Sequence, residues 1–391
     1  MKDFSLNFQD TETAFADKTN SELKEKYRLF KFMNSPFLSE IGTNAAKFAL
    51  SLGLPVKGLI KNTIYEQFCG GETIEECEQT INKLGRSHIG TILDYSVEGK
   101  TTEEDFEAAT NEILKNVERA KNDENIPFAV FKVTGIAPLG TLEKVSSGIE
   151  LQEKTKWKWE RITCRVEKIC ERAHAVGQPI FIDAEETWIQ TAIDKLAIEM
   201  MRKFNREKHL VYNTIQLYRT DGLQMLKDFH EIAKREGFLY SVKLVRGAYM
   251  EKERERAEEK GYPSPIQPDK QSTDRDYDLA IDYCLENIDT IAFVAGTHNE
   301  KSTKLLAEKL DKKGIPHDHQ NVNFSQLYGM SDNLSYVLAK YDYNVSKYVP
   351  YGPVKDAVPY LIRRANENTS VAGQVSRELD LIKKELERRH L

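Results

Sequence analysis

From about residue 88 onward, short runs rich in β-branched and aromatic residues alternate with charged stretches of helical period. The runs are HIGTILDYS (88–96), PFAVFKVTG (127–135), QPIFIDAEE (178–186), LVYNTIQLYR (210–219), LYSVKLVRGAY (239–249), DTIAFVAGTHN (289–299), NVNFSQLYGM (321–330) and VSKYVPYG (345–352). A continuous apolar run of this length, bounded by Gly, Pro, Asn or Asp, reads as a strand buried on both faces. Between the runs lie EEDFEAATNEILKNVERA, KWERITCRVEKICERAHAVG, IQTAIDKLAIEMMRKFN, LQMLKDFHEIAKREG and EKSTKLLAEKLDKKG, each with apolar residues at i, i+3 and i+4. Strand and helix alternating in this way predict an α/β protein with a parallel sheet, and the number of units suits a (βα)8 TIM-type barrel, distorted by insertions, better than an open sheet. No GxGxxG or GxxxxGK follows the first run, which argues against a dinucleotide or P-loop fold.

Residues 1–85 carry a different pattern. NSELKEKYRLFKFMNS and TNAAKFALSLGL have helical apolar spacing, and TIEECEQTINKLG has a Thr-x-x-Glu capping box and a glycine stop. The expected organisation is an N-terminal helical region (1–85), a barrel (86–372) and a C-terminal helical tail (373–391). The tail, SRELDLIKKELERRHL, reads either as a solvated helix or as a packing helix. Two connections are long for barrel crossovers, 136–157 and 251–278, and each reads as a surface insertion or as a lid over a site.

Composition narrows the class. Net charge is -6, which disfavours a nucleic-acid partner because phosphate binding needs a basic face. The five cysteines are odd in number and lack CxxC spacing, so reduced thiols in a cytoplasmic protein are expected, with no disulfide frame and no zinc site. No apolar run approaches the ~18 residues of a membrane span, leaving at most peripheral membrane contact.

In a barrel the chemistry collects at the carboxyl ends of the strands. Polar residues fall there repeatedly: Asp94 and Glu98; Lys132 and Thr134; Asp183, Glu185 and Glu186; Gln216 and Tyr218; Lys243, Arg246 and Tyr249; Thr297, His298 and Asn299; Tyr348. After the last run, Tyr360, Arg363, Arg364 and Glu367 of YLIRRANEN recur at i, i+3, i+4 and i+7 and share one helical face. That face could lie in solvent. Turned across a barrel mouth, its two guanidiniums would grip one carboxylate through paired charge-assisted hydrogen bonds. A metal at His317 and His319 or at Asp183, Glu185 and Glu186, and a Schiff base on Lys132 or Lys243, are the competing chemistries.

FKVTG, IDAEE, IQLYRTD, KLVRGAYMEKE, AGTHN, KYVPYG and YLIRRANEN stand in the order in which they occur in the proline dehydrogenases, flavoenzymes on a distorted (βα)8 barrel, and the chain resembles that family across most of 88–370. The resemblance implies FAD as cofactor, L-proline as substrate and Δ1-pyrroline-5-carboxylate as product, with a quinone-type electron acceptor and a pyrroline-5-carboxylate dehydrogenase as partners. It implies that Arg363, Arg364 and Lys132 bind the substrate carboxylate. Tyr348, Tyr360 and Leu244 would pack on the ring, and Asp183, Lys243 and Tyr249 would be the catalytic groups. Lys243 stands where many members have arginine. Ala184, Gln216, Arg246, Gly247, Ala248, Thr297, His298 and Glu367 would contact FAD, and Glu98 would pair with Arg363 as a gate. Tyr348 favours proline over hydroxyproline, because the related hydroxyproline-preferring enzymes lack it.

Overall fold

The computed structural model describes residues 6–34, 64–96, 100–357, 360–361 and 374–391. Eight parallel strands, β1 (Gly90–Tyr95), β2 (Phe128–Phe131), β3 (Ile180–Ile182), β4 (Val211–Gln216), β5 (Tyr240–Val245), β6 (Ile291–Gly296), β7 (Val322–Leu327) and β8 (Val345–Tyr351), close into a barrel in chain order. This is the expected (βα)8 architecture. Its strands are apolar along their length because both faces are covered, the barrel interior on one side and helices on the other. All of β4 and β8 is buried.

Two strands stop earlier than the β-rich runs that predict them. The second run extends to residue 135, yet β2 ends at Phe131 and Val133–Gly135 forms a 3-10 turn. The third extends to residue 186, yet β3 ends at Ile182. The reason is local hydrogen bonding. Asp183 N donates to Phe131 O (3.0 Å), the last rung between the two strands. Beyond it, the Thr134 N–H goes to the Glu185 side chain (3.0 Å) instead of to a neighbouring strand.

The chain forms two compact units, Gly99–Ser325 and the pair of segments Met1–Glu98 and Gln326–Leu391. In the first unit each long connection is a pair of helices: Leu139–Ser146 with Glu153–Val176, and Met250–Lys260 with Lys270–Glu286. The helix Glu153–Val176 ends on Gly177 at φ 72°, a left-handed position that glycine takes without steric cost.

In the second unit the two ends of the chain meet. Helix Asn20–Met33 starts with a full capping box, Thr19 and Glu22 bonding each other's backbone N–H. Helix Ile74–Gly85 has half of one: Thr73 caps Glu76 N (3.3 Å), while Glu76 reaches Glu72 N (3.1 Å). The helix ends at Gly85, the glycine stop read from the sequence, and is followed by Arg86 in a right-handed conformation. The C-terminal segment is a packing helix (Gln374–Arg388) with Leu379, Leu381 and Ile382 buried. Ser376 Oγ donates to Asn34 Oδ1 (2.9 Å), and Arg389 donates to the carbonyls of Phe15 and Lys18 (2.8 Å each). The helix expected in TNAAKFALSLGL lies outside the described residues.

Candidate active site

Three charged side chains converge at the carboxyl ends of β2, β3 and β5. Lys132 is the residue after β2 and Asp183 the residue after β3, while Lys243 lies within β5. Lys132 Nζ stands 3.1 Å from Asp183 Oδ2, and Lys243 Nζ donates to Asp183 Oδ1. Lys243 also stands 5.1 Å from the ring centre of Phe181 and is 6% exposed. Charges this buried are costly unless paired, and here one carboxylate serves two ammoniums. Two ammoniums are thus gathered around one carboxylate at these strand ends. Leu244, the next residue of β5, is fully buried and in register with Ile215 and Ala295.

Arg246 follows β5 and is held on every side of its guanidinium. Nε donates to Asp274 Oδ1 (2.7 Å), Nη1 to Thr297 Oγ1 (2.7 Å) and Nη2 to Ser302 Oγ (2.9 Å). The ring of Tyr277 lies 4.3 Å from its central carbon. Burial alone would raise the Asp274 carboxyl, but its bonds to Lys270 and Arg246 outweigh that and hold it below the usual carboxylate range. The next two residues, Gly247 and Ala248, are exposed. Gly247 has φ 132°, and a Cβ there would lie 2.5 Å from the Tyr218 ring. The Tyr218 ring thus fills the place a side chain would take, and glycine lets the backbone pass it beside the fixed guanidinium. Tyr249 is half-buried and caps helix Met250–Lys260, its carbonyl accepting Glu253 N (2.9 Å).

The remaining expected residues of this unit border the same strand ends. Gln216 closes β4 and its Nε2 donates to Glu185 O (2.8 Å). Ala184 is half-buried between Asp183 and Glu185, and His298 is half-buried after Thr297. In the other unit, Tyr348 lies in the middle of β8, in register with Ile92, and not at the strand's end. Tyr360 is buried in an apolar cluster with Phe30, Phe68 and Leu361. Glu98, Arg363, Arg364 and Glu367 lie outside the described residues.

Two contributors were not singled out from the sequence, Asp274 and Ser302, and the pairing of two that were, Thr134 and Glu185, was not foreseen. Thr134 and Glu185 stand inside the diagnostic runs, but nothing in a one-dimensional pattern says that they bond each other. Asp274 and Ser302 come from helices behind the strands and carry no sequence signal. Burial pushes the Glu185 carboxyl up to about 7, against the bonds from Thr134, with Glu186 adding to the rise and Lys132 opposing it. Among the described residues no group of three or more His, Cys, Asp or Glu is placed to hold a metal ion. His317 bonds Asp311 (2.7 Å) and His319 accepts from Asn321 N (3.2 Å).

Comparison with known proteins places these features in context. The family described as proline dehydrogenase matches residues 77–377. A carbapenem antibiotics biosynthesis protein, CarD, of Pectobacterium carotovorum subsp. carotovorum is 35% identical over 85% of this chain and 86% of its own. Proline dehydrogenase 1, mitochondrial, of Dictyostelium discoideum is 32% identical over 97% of this chain and 74% of its own. Among solved structures, proline utilization A from Bdellovibrio bacteriovorus, inactivated by N-propargylglycine, superposes with a TM-score of 0.72 at 20% identity. That match covers 96% of this chain and 40% of the longer solved chain, and it speaks for the fold alone.

Proposed function

The chain belongs to the proline dehydrogenase family, and from that premise we propose that it oxidises L-proline to Δ1-pyrroline-5-carboxylate with FAD as cofactor. The observation that carries the proposal is the Lys132–Asp183–Lys243 cluster at the ends of β2, β3 and β5. It gathers two ammoniums on one carboxylate at neighbouring strand ends, donors suited to a small carboxylate.

The residues fit the cofactor. Arg246 offers a guanidinium already fixed by Asp274, Thr297 and Ser302, next to exposed backbone at Gly247 and Ala248. FAD, when bound, supplies the two-electron acceptor for the hydrogen at proline C5. The protein's own part is to bind and orient. Lys132, whose side chain is 17% exposed against 8% for Lys243, is the ammonium more open to a substrate carboxylate. Arg363 and Arg364 would complete the grip on that group. Fixing the carboxylate presents the opposite ring carbon, and positioning of this kind supplies much of the rate of a transfer reaction. Oxidation turns the C5–N single bond into a double bond, so the ring nitrogen, protonated in free proline, must release a proton. Positive charge beside it lowers its pKa and favours the neutral amine.

A Schiff-base lyase is less well served. Lys132 and Lys243 both point at Asp183, and an ion-paired ammonium has no lone pair with which to attack a carbonyl. We further infer a quinone-type acceptor for the reduced cofactor and delivery of the product to a pyrroline-5-carboxylate dehydrogenase, both carried by family membership. A cytoplasmic setting with at most peripheral membrane contact is the companion reading. No described helix is long and apolar enough to cross a membrane.

The test is an anaerobic absorbance scan of the purified protein before and after L-proline. A flavin spectrum that bleaches supports both cofactor and half-reaction. A flavin that proline leaves oxidised, with hydroxyproline bleaching it, moves the substrate assignment. A protein that takes up no FAD on reconstitution overturns the proposal.

A further inference from the structure

Glu185 makes a hydrogen bond through each of its polar atoms. Its carboxylate accepts from Thr134 twice, Oε1 from the backbone N–H (3.0 Å) and Oε2 from the hydroxyl. Its own N–H donates to Gln190 Oε1 (2.8 Å), and its carbonyl accepts from Gln216 Nε2 (2.8 Å). The residue is 3% exposed. Thr134 is two positions from Lys132, in the 3-10 turn that begins as soon as β2 ends. Asp183, which Lys132 meets, is two positions from Glu185 on the other side of the clasp.

Resting on the reading of the site as one for a small ring carboxylate, we propose that Glu185 is a positioning residue: by clasping Thr134 it fixes the turn that carries Lys132 and so sets how tightly the substrate carboxylate is held. Lys132 leaves the barrel on a strand of four residues followed by a turn of three. An ammonium on a flexible four-carbon stem is only as well placed as the backbone beneath it. A two-point clasp onto one residue of that turn, held in turn by the Glu185 backbone bonds to Gln190 and Gln216, supplies that placement. The two roles of Glu185 separate cleanly. Its side chain serves Lys132 through Thr134, while its carbonyl serves Gln216, so a side-chain substitution perturbs substrate binding and leaves the bond to Gln216 in place.

The experiment measures KM and kcat for proline, flavin content per chain, and the Kd of cyclopentanecarboxylate (a ring carboxylate with no amine to oxidise) by calorimetry, for the wild type, Glu185→Ala, Glu185→Gln, Thr134→Val and Lys132→Met. Glutamine can accept from the Thr134 N–H and donate to its hydroxyl, so it keeps both bonds. The expected result is a rise of about ten-fold in KM and Kd for Glu185→Ala and Thr134→Val, near-wild-type values for Glu185→Gln, and unchanged flavin content throughout. In the Lys132→Met background, Glu185→Ala should add little, because the clasp acts through the lysine it places. Full additivity of the two substitutions, or a Glu185→Ala protein that loses flavin while its KM holds, overturns the proposal. A wild type that neither turns over proline nor binds the ring carboxylate fails earlier, at the reading of the site itself, and takes this inference with it.

Discussion

Asp183 is the residue on which the site's charge balance turns. Replacing it with asparagine removes the carboxylate shared by buried Lys243 and half-buried Lys132, a loss of the kind that costs up to roughly 3–5 kcal/mol when a buried pair is broken. The expected outcome for Asp183→Asn is a fall in kcat/KM of about a hundred-fold or more, read by steady-state kinetics with proline. Gly247 is constrained differently. Its φ of 132° and the Tyr218 ring leave no room for a methyl group, so Gly247→Ala should cost about 1–3 kcal/mol in strain. Because the strain falls beside Arg246, the measurement is flavin retained after dialysis, expected to drop against the wild type. Glu185 makes a prediction about pH. Its carboxyl sits at about 7 in the folded chain against an ordinary 4.5, because burial disfavours the charge and Glu186 adds to that, while Thr134 and Lys132 oppose it. The folded state therefore holds this proton more tightly than the unfolded one. The stabilisation is fully present below about pH 4.5 and is lost as pH rises through 7, by an amount on the order of 3 kcal/mol. Thermal melts of the wild type and Glu185→Gln from pH 5 to 8 should diverge as pH rises, the variant becoming the more stable.

At the scale of elements, the periodicity that marks each strand and helix was legible because it is a local consequence of burial. An apolar run in a strand covered on both faces and a 3.6-residue stripe in a covering helix are written residue by residue. Strand ends were less legible. β2 and β3 stop where side-chain partners capture the backbone, and the bond from Thr134 N to Glu185 spans 51 positions. Caps were intermediate: the Thr73–Glu76 spacing marks a helix start, and Thr73 does cap it, while Glu76 departs to Glu72. The connection at 251–278, read as insertion or lid, contains helix Met250–Lys260, and that helix is fastened down. Glu253 is fully buried and accepts from Thr187 N and Oγ1 (2.6 Å each), and the Arg256 guanidinium lies 4.3 Å from the Trp188 ring. Thr187→Val should loosen this attachment, and faster amide exchange along Met250–Lys260 would be the sign of it.

For the whole molecule, the instructive feature is the unit that joins the two chain ends. Asp332 is buried between Lys26 (2.7 Å) and Lys347 (3.0 Å). Burial works against its charge, but the two lysines, with Lys18, hold its carboxyl well below the usual range. Glu378 of the C-terminal helix is buried nearby and accepts from Ser331 N. Truncation at residue 373 would remove Glu378, Leu379 and Ile382 from this unit, and a fall in melting temperature of several degrees is expected. The Asp332 contribution is present above the ordinary carboxylate range and lost as pH falls, so acid should weaken this unit while it relieves Glu185.

The sequence by itself determined the alternation of strand and helix, hence the barrel, and the residue types at its strand ends. Both follow from local rules of burial. It also carried Lys132, Asp183, Lys243 and Arg246 as candidates, since a charged residue at the end of an apolar strand is conspicuous in one dimension. Only the tertiary structure decided who pairs with whom. One Asp183 shared by two lysines, Arg246 held by Asp274, Thr297 and Ser302, Thr134 clasped by Glu185, and Asp332 buried between Lys26 and Lys347 all join residues far apart in the chain. The energy of a buried charge depends on its neighbours in space, and spacing along a sequence does not encode them.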